Sequence, residues 1–108
     1  MLLKKNRADK KAVEKIFKEG KFFNSPNLTF KFIQNNDGAA PQISFIAPKS
    51  VAKLAVKRNS LRRLGYNALK KYINNFPLGT VGVFVFKKSQ VDVLIIENEI
   101  KNILSKIN

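Results

Sequence analysis

The stretch KSVAKLAVKRNSLRRLGYNALKK, residues 49–71, decides how the rest of the chain is read. It carries eight Lys or Arg and no carboxylate, inside a longer run from Gly38 to Val91 that has no Asp or Glu. Leu61, Leu64, Ala68, Leu69, Tyr72 and Phe76 recur at steps of three and four, the spacing of one apolar stripe on a helix. At about 100° per residue, Asn59, Arg62, Arg63, Tyr66 and Lys70 fall on the opposite arc. Arg58 stands at its edge, one turn before Arg62. The spacing predicts a helix that starts between Val51 and Asn59, with one side for a core and the other for anions. Of four arginines in a chain with 17 lysines, three lie here: Arg58, Arg62 and Arg63. A guanidinium grips phosphate oxygens in pairs, which an ammonium does not. Gly65, inside the helix, reads as a tolerated imperfection costing about 1 kcal/mol against alanine; the alternative is a close approach of another element.

Composition narrows the class. A chain of 108 residues makes one domain over 1–108, with a net charge of +14 and a pI near 10.3. Such unrelieved like charge opposes compaction unless a polyanion neutralises it, which points to nucleic acid first and an acidic membrane surface second. No cysteine is present, so there is no disulfide chemistry, in keeping with a reducing cytoplasm. MLLKKNRADKK lacks the apolar run of a signal peptide, and no segment has the length to cross a bilayer. The expectation is a cytoplasmic protein, monomeric when free, with no membrane partner.

Outward from the basic helix, residues 1–8 read as a basic arm. Asp9 is placed to cap a short helix whose apolar face is Val13, Ile16 and Phe17 and whose stop is Gly20. KFFNSPN reads as a bridge and turn. Leu28 to Ile33 alternates as a strand, Asn36-Asp37-Gly38 reads as a hairpin loop, and Gln42 to Ala47 is expected as a strand antiparallel to the first. Pro77-Leu78-Gly79 breaks the helical pattern. Thr80 to Phe86, apolar on both faces, is expected in the middle of the sheet. Ser89 is expected to cap the last helix with Asp92 in capping-box position, and Ile96, Ile100, Ile103 and Ile107 make its stripe. The fold class is therefore α+β: a two-layer sandwich of helices on a mostly antiparallel sheet.

Catalysis by the chain alone is not expected. Without His or Cys it lacks the commonest general base, the commonest nucleophile and the usual zinc ligands. Its seven carboxylates show no D-x-D or H-x-E pattern, and Glu97 and Glu99, two apart on a helix, point in different directions. Three classes follow: an RNA-binding subunit, a ribosomal or general RNA-binding protein with no role in cleavage, and, disfavoured by the missing carboxylate cluster, an autonomous metal nuclease.

The helix carries a resemblance. A-V-K-R-N-S-L-R-R, residues 55–63, resembles the signature Ala-Val-x-Arg-Asn-Arg-Ile-Lys-Arg of the bacterial ribonuclease P protein family; Ala55, Val56, Arg58, Asn59 and Arg63 match outright. Ile16-Phe17-Lys18-x-Gly20 resembles that family's Val-Phe-x-x-Gly segment, and Ser44 to Lys49 its strand leading into a Lys-Lys loop. Departures stand at Ser50 and Ser60, where the family has a second lysine and a second arginine, at Gly65-Tyr66-Asn67, and at Val13 and Lys31, often aromatic there.

The resemblance implies a small protein cofactor of a catalytic RNA that removes the 5′ leader of precursor tRNA. The magnesium ions would be held by the partner RNA, with none bound by the protein alone. It also implies a fold resembling a ribosomal-protein domain with a left-handed β-α-β crossover. The partners implied are ribonuclease P RNA and precursor tRNA. Lys49, Lys53, Lys57, Arg58, Asn59, Arg62 and Arg63 are the candidate RNA-binding residues, with Asn59 reading equally as a helix cap. For the leader, the weaker candidates are Phe17, which reads first as core and second as a stacking ring, and Lys31.

Overall fold

The computed structural model describes residues 10–35, 38–89 and 91–107. In order, the chain forms α1 (Lys10–Glu19), β1 (Lys21–Asn24), β2 (Leu28–Gln34), β3 (Gln42–Ile46), α2 (Ala55–Leu69), a short 3-10 turn (Ile73–Asn75), β4 (Thr80–Phe86) and α3 (Val93–Ile107). The arm and Asp9 lie outside the described residues, as do Asn36 and Asp37 of the expected hairpin loop. The four strands form one sheet in the order β1-β2-β4-β3, antiparallel at the first two pairings and parallel at the last.

That order corrects two expectations. Gln42–Ile46 does not pair with β2; β4 lies between them, and β3 runs parallel to it. A strand apolar on both faces gains most from the centre, where helices cover it on each side, and the helical return through α2 makes the β3–β4 pairing parallel. The expected bridge also contains a strand, since Lys21–Asn24 pairs with β2 in register Phe23↔Phe30. Four residues are too few to show an alternating pattern against the turn residues that follow.

The registers line up an aromatic row. Phe23, Phe30, Phe84 and Phe45 are cross-strand neighbours from β1 to β3. Phe30 and Phe84 stack at 4.4 Å between centroids, and Phe84 and Phe45 at 5.1 Å. Against this face pack α2, through Leu61, Ala68 and Leu69, and α3, through Ile96, Ile100 and Ile103. The opposite face carries α1, whose Ile16 is buried on Val81 and Val83.

Gly65 is not an imperfection. A Cβ at this position would stand 2.4 Å from the Phe45 ring, so its absence is what lets α2 lie against β3. Tyr66, expected on the polar arc, is 5 % exposed. Its ring meets Phe45 edge-on, and its hydroxyl accepts the Phe45 N–H at 3.3 Å. Because β3 is an edge strand, that N–H has no strand partner to receive it, and the phenol supplies one.

Beyond α2 the chain turns through Ile73–Asn75, so Tyr72 and Phe76 extend the apolar stripe without being in the helix. Gly79, at φ +82°, occupies the left-handed region; its N–H donates to the Ala39 carbonyl, and its own carbonyl accepts the Asn35 N–H at 2.8 Å. On α3, Asp92 and not Ser89 provides the cap: its carboxylate accepts the Ile95 N–H at 2.9 Å. The buried Glu99 ties α3 to the β1–β2 turn, accepting the Ser25 hydroxyl, the Asn27 N–H at 2.8 Å and the Asn27 side-chain amide at 2.7 Å.

Two stability measurements check this account. Gly65→Ala forces a methyl into the Phe45 ring and is expected to cost about 1–3 kcal/mol, seen as a lower urea midpoint at unchanged slope. Glu99→Ala leaves the Asn27 N–H and side-chain amide without their acceptor, while the Ser25 hydroxyl keeps the Leu28 carbonyl. The substitution is expected to cost about 1–3 kcal/mol in the same titration.

Candidate nucleic-acid interface

The first half of α2 is mostly exposed, and its second half is buried against β3 and α3. Arg58, Arg62 and Tyr66 stand four apart and share one line along the helix. The line runs from a half-buried Arg58, through an exposed Arg62, to a buried Tyr66 as the helix meets the strand. With Asn59, these residues form one wall of a cleft of about 480 Å³. Ser44 and Ile46 of β3 contribute its sheet side, and Lys10 and Val13 of α1 the facing wall.

Arg58 also works within the fold. Its Nη1 donates to the carbonyls of Ala52 at 3.1 Å and Lys53 at 2.7 Å, holding the turn that leads into α2. Of the five N–H donors of a guanidinium, that commits two. No side chain caps α2 at Leu54. Asn59 lies in the second helical turn and therefore serves no capping role; its side chain belongs to the cleft wall. Ser60 returns its hydroxyl to the Val56 carbonyl at 3.0 Å, so the departure from the family signature here is a side chain turned onto its own helix.

The seven helix and loop candidates do not form one cluster. Arg58, Asn59 and Arg62 face the cleft, whereas Lys49, Lys53, Lys57 and Arg63 are exposed outside its lining. Among the described residues, Arg62 and Arg63 make no ion pair. Glu97 is taken by Lys71, at 2.9 Å, beyond the end of α2. That hydrogen bond and the carboxylate's charge hold the Lys71 ammonium above its ordinary pKa. No set of three or more His, Cys, Asp or Glu able to hold a metal ion occurs among the described residues, and no described helix is long and apolar enough to cross a membrane.

Phe17 departs from its expected place in the core. It is 47 % exposed, and the Lys31 ammonium lies 4.4 Å from its ring centroid. Lys10, Val13 and Phe17 fall on one flank of α1, so the two leader candidates continue the side of α1 that lines the cleft. Sequence reasoning missed Lys10 and Ser44. The helical spacing of Lys10 to Val13 and Phe17 was the available signal for the first; the second depends on the strand order.

The arrangement is one of binding: guanidiniums and an amide along one wall, apolar and hydroxyl groups below, and a half-exposed ring beside an ammonium. The chain is similar to the RNase P protein of Staphylococcus aureus, with 18 % identity and a TM-score of 0.79 over 95 % of this chain and 98 % of that one. It is also similar to the RNase P protein from Thermotoga maritima, with 22 % identity and a TM-score of 0.80 over 94 % and 97 %. No curated protein sequence matches it. The family model described as Ribonuclease P matches residues 3–108, and the chain therefore belongs to the Ribonuclease P family, whose protein is a subunit of the RNA-based endoribonuclease of tRNA processing.

Proposed function

We propose that this subunit docks on ribonuclease P RNA through the exposed part of α2 and takes the single-stranded 5′ leader of precursor tRNA along the cleft between α2 and α1. The observation that carries the reading is the placement of Arg58, Asn59 and Arg62 on one cleft wall, with no carboxylate in its lining. Arg62 and the three uncommitted donors of Arg58 suit phosphate oxygens, and Asn59 suits a phosphate or a ribose hydroxyl. Lys49, Lys53, Lys57 and Arg63 add attraction for the folded RNA from outside the cleft. Lys31 and Phe17 meet the leader farther along, the ammonium at its backbone and the ring against a base.

In this reading the protein's part is electrostatic and positional. Magnesium ions and the cleavage step belong to the RNA, and the free protein is a cytoplasmic monomer. Two phosphate-bearing strands brought side by side repel each other, and a +14 chain placed between them lowers that repulsion.

Reconstitution provides the test. Precursor tRNA and a cognate bacterial ribonuclease P RNA at low magnesium are expected to give faster 5′ cleavage when the protein is added. Absence of stimulation, or selective recovery of ribosomal RNA from cells without ribonuclease P RNA, overturns the reading. With about five phosphates engaged on single-stranded RNA, the log-log salt slope of binding is expected to be about −3 to −4. Arg62→Ala is expected to weaken binding by about tenfold, the loss of one charged hydrogen-bonding group, with the fold intact by circular dichroism.

A further inference from the structure

We infer that Phe22, on the outermost strand, is a second base-stacking position, so that the nucleic-acid track runs from the α2 arginines along the exposed flank of α1 to β1. The inference rests on the proposed docking of single-stranded RNA in the cleft and extends it by a site at the far edge. Phe22 is 60 % exposed, a large apolar ring that contributes nothing to either core cluster. In the β1–β2 register it stands directly opposite Lys31, and residues paired in this way project from the same face. Lys31 in turn has its ammonium over the exposed Phe17 ring. Two open aromatic rings therefore flank one cation on the face that carries α1.

The same register continues to the cleft. Lys31 pairs with Val83, and Val83 with Ser44, so Phe22, Lys31, Val83 and Ser44 share one row across all four strands. Val83 is buried beneath Ile16 of α1, and the open route between the ends of the row is the Lys10, Val13 and Phe17 flank of that helix. Ser44 already lies in the cleft beside Arg58 and Arg62. The ends of the row stand three strand spacings apart, about 14 Å, so a strand passing beside α1 needs at least about four nucleotides at roughly 3.4 Å each. Charge favours RNA as the occupant: α1, whose flank borders the track, carries four lysines against Glu14 and Glu19, and Lys21 precedes Phe22. A polyanion with flat bases satisfies both the cations and the rings, since every base presents a π-face whatever its identity.

Anisotropy titration of the full chain with a labelled single-stranded uridine RNA of about ten nucleotides, and with an abasic ribose-phosphate strand of the same length, tests the inference. Phe22→Ala is expected to weaken the base-bearing RNA by about 5- to 100-fold, the range for one base–aromatic stack. It should leave the abasic strand and the salt slope unchanged. Phe22→Trp is expected to retain binding, and Phe22→Leu to lose it as Phe22→Ala does. Arg62→Ala is expected to weaken both strands and to lower the slope by about 0.7. If Arg62→Ala weakens binding while Phe22→Ala does not, or if Phe22→Leu binds like the unaltered chain, the stacking site is overturned and the docking proposal stands. If neither Phe22→Ala nor Arg62→Ala changes either titration, both fall together.

Discussion

The contact between the Phe45 ring and the bare backbone of Gly65 positions everything that follows. Phe45 is the end of an aromatic row that begins at Phe23 on the opposite edge of the sheet, and a Cβ on Gly65 would occupy the ring's space. With the Tyr66 hydroxyl on the Phe45 N–H, α2 has one seat, at the β3 edge. Protein interiors are close-packed and resist small displacements. A helix seated this way holds the residues one and two turns earlier, Arg62 and Arg58, at a defined place over the sheet. The glycine that weakens the helix locally thus gives the arginine wall its position.

Charge is organised on the same principle. A surface with so few carboxylates exposes its arginines only if those carboxylates are occupied elsewhere, and three on α3 and its cap are. Asp92 caps the helix, Glu97 meets Lys71, and the buried Glu99 holds the β1–β2 turn. Each of these lies away from the cleft lining. The negative groups hold the fold together, leaving Arg62 and Arg63 without an ion pair among the described residues. The resulting surface repels itself, and the sheet core, with Phe30, Phe84 and Leu69 wholly buried, offsets that repulsion.

Much of this was legible in the chain before any coordinates. Helical spacing of Leu61, Leu64, Ala68 and Leu69 located α2, alternation located β2, and a doubly apolar Thr80–Phe86 had to lie inside the sheet. The basic side of α2 followed from the same periodicity. Tyr66 shows its limit: it lies on the arc of Arg62 by angle, yet is buried, because only the second half of the helix lies against a strand. Spacing pointed to Ser89 as the cap of α3 with Asp92 as its partner three residues on, whereas the hydrogen bond from the Ile95 N–H puts the cap at Asp92.

Periodicity and composition, which depend only on neighbours along the chain, determined the element types other than the four-residue β1, the basic helix and the poverty of catalytic groups. Strand order is a matter of which surfaces compete for the centre of the sheet, and no local pattern encodes it. Hence the insertion of β4 between β2 and β3, the use of Gly65 as a seat for Phe45, and the row joining Phe22, Lys31 and Ser44 were decided only by tertiary packing. Those residues are far apart in sequence, and the free energy that aligns them exists only once all four strands are side by side.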